Sequence, residues 1–383
     1  MPPGMSAPFR IFQTADVHLG MKFSSYGDLQ QTLSDGRFRS LEKMVQTATE
    51  KQCQLLVVSG DLFDRVSVPK RDVERAAQIL SGFGGALVAI LPGNHDYFED
   101  RADSLWSVFM ENTGGKVLLL SEKKLYDLAE YDLDGVHLYA APCRDKHSKS
   151  NATDWVTEAK KSSEAKHVIG VAHGSLEGLS FDREGSYYPM TRQGLIEAGV
   201  DFWLMGHIHV RHPVEPEANA RIFYPGTPEP DGFDCSHRGT AWLIEPKDRK
   251  NWNVEAIPTG LYRFDEVEKE ISSLGEVKSL VQSWVQKTDG KQQLLKLVLS
   301  GRLGREEFRE LSQELESLRQ HLLHLKAVTE TLQIRVTQEE IDREFTEGSF
   351  PHRLLSQLAT QTDEPEALQI AYELLGSAGK VGR

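Results

Sequence analysis

The chain has 383 residues, with 44 basic against 57 acidic side chains and a formal net charge of −13. Its length suits two domains at roughly 150 residues each, and 39% hydrophobic with 26% charged residues is the make-up of a folded chain rather than a disordered one. The acidic balance argues against a protein that coats nucleic acid by bulk charge, and leaves room for an enzyme with a local positive site.

The three cysteines, Cys53, Cys143 and Cys235, are far apart and odd in number. They fit a reducing compartment better than a disulfide framework or a thiolate zinc site. The first ten residues hold no apolar signal core, and no run approaches the roughly 20 apolar residues of a membrane span. The expectation is a cytoplasmic protein without a membrane partner, in which the Asn151-Ala152-Thr153 sequon is idle.

In chain order, five short apolar runs each end in a polar turn. Phe9-Arg10-Ile11-Phe12 leads into Gln13-Thr14-Ala15-Asp16, and Leu55–Val58 into Ser59-Gly60-Asp61. Ala86–Leu91 leads into Pro92-Gly93-Asn94-His95-Asp96, His167–Ala172 into His173-Gly174, and Phe202–Met205 into Gly206-His207. Such runs read as strands buried on both faces. Helical stretches over Arg37–Gln52 and Lys70–Leu80 separate the first three, which gives a β-α-β-α-β rhythm and an α/β layered fold. Weaker strands are expected at Lys116–Leu120 and Val136–Ala140. A β-meander is expected over Arg221–Tyr224, Gly239–Ile244 and Trp252–Ile257.

A second unit is expected to begin near Tyr262. Leu294–Leu299 reads as a strand, Gly301–Gly304 as a turn, Glu306–Leu323 as a charged amphipathic helix and His324–Ile334 as a returning strand. Glu364–Leu375 reads as a last amphipathic helix capped by Gly376. The expected domains are therefore 1–260, 261–345 and a helical tail over 346–383.

The informative fact is where the polar residues fall. All five runs end in metal-ligand residue types: Asp16 and His18, Asp61, Asn94 and His95, His173, then His207 and His209. In open α/β sheets, sites gather at the carboxyl ends of strands. Alternation puts residues i and i+2 on one side, so Asp16 can join His18 and His207 can join His209. A lone histidine at a strand end is usually structural, and Gly-Asn by itself favours a turn. Five ordered clusters at five strand ends point instead to a site. Its donors are oxygen and imidazole with no thiolate, which suits Mn²⁺, Fe or Zn²⁺ with open water positions. The seven ligand types other than His95 exceed what one ion takes alongside water. They fit two ions, with Asp61 as the bridge because it stands alone between the two groups.

Taken together, Asp16-Val17-His18, Gly60-Asp61-Leu62-Phe63-Asp64-Arg65, Gly93-Asn94-His95-Asp96, His173-Gly174 and Gly206-His207-Ile208-His209 resemble the five-block signature of calcineurin-like metallophosphoesterases, over roughly residues 9–210. The resemblance implies a four-layer αββα sandwich with a small α/β capping domain. It implies one metal held by Asp16, His18, Asp61 and His209, and a second held by Asp61, Asn94, His173 and His207. His95 is then the general acid, Asp64 the carboxylate that orients it, and Arg65 a candidate phosphate contact, with a solvated salt-bridging arginine as the other reading. Some archaeal repair nucleases of this kind carry a histidine where this chain has Asp64.

Thr14-Ala15-Asp16-Val17-His18-Leu19-Gly20 and Tyr224-Pro225-Gly226-Thr227-Pro228-Glu229 further resemble SbcD-like and YhaO-like DNA repair exonucleases. That resemblance implies two divalent ions, Mn²⁺ first with Fe, Zn or Co as alternatives. It implies cleavage of DNA phosphodiesters, exonucleolytic and in some cases endonucleolytic. It also implies a homodimer through the helices near Lys70–Leu80 and Ser104–Asn112, and an SbcC-type coiled-coil ATPase partner. Trp106 and Phe109 either anchor that dimer or pack on their own sheet. The Glu364–Leu375 helix either docks the ATPase or packs within the chain. A phosphoesterase of nucleotides or other small phosphodiesters, and a non-catalytic metal-bearing regulator of a DNA-processing ATPase, stand as alternatives. The sequence has no GxxxxGK[ST] phosphate loop of its own.

Overall fold

A computed structural model describes residues 8–381 apart from 160, 162–163, 181, 183, 218–219, 236, 288 and 361–364. Two compact units emerge. The first holds the described residues up to Asp231 together with His237–Tyr262, and the second holds Arg263 onward with a short segment from Gly232.

The first unit is built on two sheets. β1 (Ile11–Thr14) is followed by α1 (Gln30–Glu50), β2 (Leu55–Ser59), α2 (Lys70–Ser81), β3 (Leu87–Leu91), α3 (Leu105–Glu111) and β4 (Val117–Leu119). These four strands lie side by side and parallel. Next come β5 (Leu125–Asp127), β6 (Val136–Ala141), α4 (Asp154–Glu158), β7 (His167–His173), α5 (Arg192–Glu197), β8 (Phe202–Gly206) and β9 (Ile222–Phe223), whose strands form the second sheet in chain order. β10 (Thr240–Pro246) then pairs antiparallel with β1, and β11 (Trp252–Pro258) closes that edge.

β1, β2, β3, β7 and β8 are buried at every residue, which is why they read as unbroken apolar runs. Period two still sorts their side chains. Ile11, Val57, Ala89, Ile169, Phe202 and Leu204 meet between the sheets. Phe12, Val58 and Ile90 face outward onto α1–α3, while Val168 and Trp203 face outward from the second sheet into the core that includes Val156 and Leu195 of α4 and α5. The layers are thus helix, sheet, sheet, helix, as expected. Each fully buried Val, Leu, Ile or Phe contributes about 1.5–3 kcal/mol of transfer free energy, so the sandwich is a stiff support for whatever its strand ends carry.

Several expectations are corrected. The three strands of the supposed meander separate: β9 adds parallel to β8, while β10 and β11 join the other sheet. Burial decides this, because Trp242 and Ile244 of β10 fill the space between the sheets. The two weaker strands likewise fall in different sheets, as β4 and β6. α1 starts at Gln30, ahead of the expected Arg37, and runs through Gly36. That glycine marks a close approach rather than a turn, since a Cβ there would lie 2.4 Å from the Tyr262 ring.

The second unit has three parallel strands, β12 (Arg263–Ile271), β13 (Gln293–Leu303) and β14 (His324–Ile334). α6 (Leu274–Val285) and α7 (Arg305–His321) pack on the sheet through Val277, Val281, Leu297, Leu299, Leu311 and Leu318. β12 and α6 extend the expected strand-helix-strand. The expected turn at Gly301–Gly304 is taken up by β13, which shifts register between Val298 and Ser300 and continues to Leu303. α8 (Gln338–Glu344), α9 (Phe350–Ala359) and α10 (Pro365–Val381) share a small core of Val336, Ile341, Leu355 and Leu368. α10 passes through Gly376, so that glycine does not cap it. Among the described residues no helix is long and apolar enough to cross a membrane.

Candidate metal centre

The polar clusters lie at the carboxyl ends of β1, β2, β3, β7 and β8, where the two sheets' strand ends meet. The chain turns sharply there. Asp16, His18, Asp61 and His207 adopt φ of 54°, 48°, 54° and 97°, a region that costs a residue with a side chain roughly 1–2 kcal/mol. Hydrogen bonds between the turns fix these shapes. Asp16 N donates to Gly60 O at 3.1 Å and His18 N to Asp61 O at 3.0 Å. His207 N donates to both carboxylate oxygens of Asp16, at 3.0 and 3.1 Å.

All seven expected ligand residues converge, and they do so in two groups. In the first, His18 Nε2 stands 3.2 Å from His209 Nε2, and one donor atom each of Asp16, His18 and His209 lies within 4.8 Å of the others. In the second, Asn94 Oδ1 lies 3.0 Å from His173 Nε2 and 3.1 Å from His207 Nδ1. Asp61 Oδ2 faces both groups, 3.8 Å from His18 Nε2 and 3.3 Å from His173 Nε2. Its other oxygen accepts the main-chain N–H of His95 at 2.8 Å. His173 Nδ1 donates to Ser59 O at 2.8 Å, which turns Nε2 inward toward Asn94 Oδ1 and Asp61 Oδ2.

The electrostatics suit cation ligands. Asp16, His18, Asp61 and His173 are essentially buried. Burial drives His18 well below the usual imidazole range, and burial together with His173 brings His207 down to about 3. Both rings are therefore neutral and keep a lone pair. Burial pushes Asp16 up, against the pull of His173 and His209. Asp61 moves the other way: burial would raise it, but its pairing with His173, with His18 and His95 nearby, holds it far below the carboxylate range. His173 is the counterpart, lowered by burial yet raised to about 9 by Asp61. Two buried carboxylates, four imidazoles and an amide oxygen are the donor set of a hard or borderline divalent metal, and the residues fit such ions.

His95 lies beside the first group, its ring edge-on to His18 at 4.9 Å. Its Nδ1 donates to the main-chain carbonyl of Asp64 at 2.9 Å. This corrects the expectation for Asp64: its peptide oxygen, not its carboxylate, orients His95. The turn after Asp61, in which Asp64 N donates to Leu19 O at 3.0 Å, leaves one carboxylate oxygen within 4.8 Å of a ring nitrogen of His95 and of His18, with the carbonyl making the hydrogen bond to His95. The carboxylate lies 3.9 Å from His18 Nδ1 and 3.4 Å from Arg65 Nη2. Arg65 also donates to Gly20 O at 3.1 Å and is partly exposed.

Supporting residues went unassigned in the sequence. Asp96 is buried and its carboxylate accepts Phe63 N at 3.0 Å and Gly93 N at 2.7 Å, so it clamps the turn bearing Asp61 to the turn bearing Asn94. Burial, then the Asp61 charge, raises it to about 7. Thr227 of the Tyr-Pro-Gly turn donates its hydroxyl to Asp16 O at 2.9 Å, and Tyr224 donates its own to Gly174 O at 3.1 Å. That turn is therefore a brace on two ligand-bearing loops. The Asp96 signal was present in its block. The two hydroxyl contacts span 211 and 50 residues and leave no local pattern. Trp106 and Phe109 are not dimer anchors: both are buried in the chain's own core, edge-on to Phe63.

A metallophosphoesterase of uncharacterised function from Bacillus subtilis, YhaO, is 24% identical over 234 residues, 58% of this chain and 53% of that protein. The DNA double-strand break repair protein Mre11 of Aeropyrum pernix is 24% identical over 233 residues, 58% of this chain and 54% of that protein. The matched region thus spans about half the length of these curated relatives. Among solved structures, the purple acid phosphatase PPD1 of yellow lupin seeds aligns over 67% of this chain and 52% of its own, with a TM-score of 0.42 and 15% identity. The profile of the calcineurin-like phosphoesterases matches residues 9–211 and takes in every strand-end cluster of the centre. On that match, over more than half of its length, the chain belongs to the calcineurin-like phosphoesterase family.

Proposed function

We propose that this chain is a Mn²⁺-dependent DNA repair nuclease that hydrolyses phosphodiester bonds with two divalent ions. The observation that carries the two-ion reading is Asp61, whose Oδ2 faces His18 of one group and His173 of the other. Asp16, His18, Asp61 and His209 would hold one ion, and Asp61, Asn94, His173 and His207 the other. Bound there, such ions would polarise a phosphate and lower the pKa of a coordinated water. The chain's own residues do the rest. His95, held through Nδ1 by the Asp64 carbonyl, keeps Nε2 for delivering a proton to the leaving oxygen. His173 is fixed by Ser59 O with its Nε2 inward, and Asp96 keeps the Asp61 and Asn94 turns in register.

Support for DNA as substrate comes from the relatives named as double-strand break repair proteins, and from the Asp16-Val17-His18-Leu19-Gly20 and Tyr224–Glu229 segments. The same resemblance supports a cytoplasmic homodimer, a coiled-coil ATPase partner, and a division into a nuclease domain (1–260), a cap (261–345) and a helical tail (346–383). The deciding assay sets linear duplex, single-stranded and hairpin DNA against a panel of nucleotides, all with Mn²⁺ and with an EDTA control. Cleavage of DNA ends, abolished by EDTA, is expected. Hydrolysis of nucleotides with no DNA cleaved would turn the reading to a small-substrate phosphodiesterase. No diesterase activity with Mn²⁺, Fe²⁺ or Co²⁺ would remove the enzyme reading.

A further inference from the structure

His209 is set apart from its companions. Asp16 and His18 are buried, whereas the His209 side chain is 41% exposed, so close packing does not fix its ring. Its main chain is held on two sides. Thr227 N donates to His209 O at 3.0 Å, and the His237 imidazole also hydrogen-bonds to the His209 backbone. Those contacts place the backbone and leave the ring's orientation to another group.

That group is Asp231. Its Oδ2 lies 3.8 Å from His209 Nδ1, on the side of the ring away from His18. At this distance the contact is electrostatic rather than a made hydrogen bond. A carboxylate beside Nδ1 favours the tautomer with its proton on Nδ1 and its lone pair on Nε2, the atom that faces His18. Asp231 is itself held: the same oxygen lies 3.4 Å from Nη2 of Arg37. Arg37 is wholly buried, a costly state for a guanidinium unless its position is used. Its Nη1 donates at 2.7 Å to the carbonyl of Val17, the residue between Asp16 and His18. One guanidinium on α1 thus reaches the loop that carries two ligands and the carboxylate behind the third. The second group has a separate support, since His173 is fixed by Ser59 O.

We propose that Asp231, held by Arg37, is a positioning residue that presents His209 Nε2 to a cation and so sets the affinity of one ion site while leaving the other unchanged. This rests on the two-ion reading above. The test is Mn²⁺ titration of the full chain by calorimetry, with Mn²⁺ electron paramagnetic resonance in parallel. The wild type is expected to take up two ions and to give an exchange-coupled signal. In Asp231→Ala, one of the two sites weakens by about 10–100-fold, the usual loss when the partner of a ligating histidine is removed. The coupled signal then gives way to that of an isolated ion at limiting Mn²⁺. Asp231→Asn keeps an acceptor oxygen without the charge and leaves Arg37 a polar neighbour, so it folds with less disturbance and weakens the same site by a smaller factor. Two sites of wild-type affinity in both variants, or equal weakening of both sites, would overturn the inference while leaving the two-ion reading intact. A wild-type chain that binds no Mn²⁺ would overturn both.

Discussion

Replacing Gly60 by alanine tests whether the centre depends on the backbone as closely as its geometry implies. Gly60 has φ +95°, and a Cβ there would lie 2.1 Å from His173 Nδ1 and 2.6 Å from its Cγ. Ordinary contact begins at 3.4 Å, so the ring would have to retreat by more than 1 Å. It has nowhere to go: His173 is fully buried, bonded to Ser59 O at 2.8 Å and set 3.0 Å from Asn94 Oδ1. The left-handed backbone costs an alanine about 1–2 kcal/mol, overpacking costs about 1–3 kcal/mol, and the lost hydrogen bond about 1 kcal/mol. Together these destabilise the first unit by about 3–6 kcal/mol. At about 2–4 °C per kcal/mol for a domain of this size, its melting temperature falls by about 6–24 °C. Scanning calorimetry reads the shift, and a Mn²⁺ titration of the folded variant reads the expected weakening of the site that includes His173. A melting temperature within about 2 °C of wild type, with both ions bound as before, would refute the claim that the Gly-Asp block contains glycine to admit a ligand ring.

Three further outcomes follow from particular contacts. His95→Ala should keep both ions, because the main-chain N–H that reaches Asp61 Oδ1 is retained, while turnover falls by about 10²–10⁴; loss of an ion in the titration would make His95 a ligand instead. Asp64→Asn should keep most of the turnover, because the carbonyl that accepts from His95 Nδ1 is unchanged; a loss as large as that of His95→Ala would return that role to the carboxylate. Glu229 is raised by burial from 4.5 to about 7, against the pull of the Leu261 and Tyr262 N–H groups. Its folded value lies above its unfolded one, so the stability it confers is complete below pH 4.5 and is lost as pH rises through about 7. The slope is at most about 1.4 kcal/mol per pH unit. Urea unfolding between pH 5 and about pH 7 should show a flatter slope for Glu229→Gln, and equal slopes would discard the assignment.

How much was legible in the sequence depended on whether the signal was local. β1, β2, β3, β7 and β8 were readable because burial on both faces writes an unbroken apolar run. The ligand types were readable because each stands at the end of such a run. Sheet membership was not readable for β9, β10 and β11, because pairing with β8 or β1 depends on what Trp242 and Phe223 fill. β12 escaped because Arg263–Ile271 carries six charged residues among nine. The support of the site was the least legible part. Asp231 stands 22 residues from His209, and Arg37 reaches it from α1. The Asp64 correction has a related cause, since a sequence shows which carboxylate is near a histidine but not which oxygen faces it.

The strained turns bear on why these residues occupy these positions. Four residues with side chains hold left-handed backbone within one centre, at a combined cost of about 4–8 kcal/mol. That is comparable to the whole stability of an ordinary domain, about 5–15 kcal/mol. Asp16 and Asp61 add the desolvation of two buried carboxylates. Aspartate and histidine enter such backbone more readily than most residues with side chains, so it is the burial of their polar atoms that fold stability does not account for. What they share is a donor atom turned into the space between two sheets. The cost is offset elsewhere: by cross-turn hydrogen bonds from Asp16, His18 and His207, by Thr227 on the Asp16 carbonyl, and by the fully buried strands β1, β2, β3, β7 and β8 behind them. Strained turns at three strand ends, with buried carboxylates beside them and fully buried strands behind, are what the proposed metal centre accounts for.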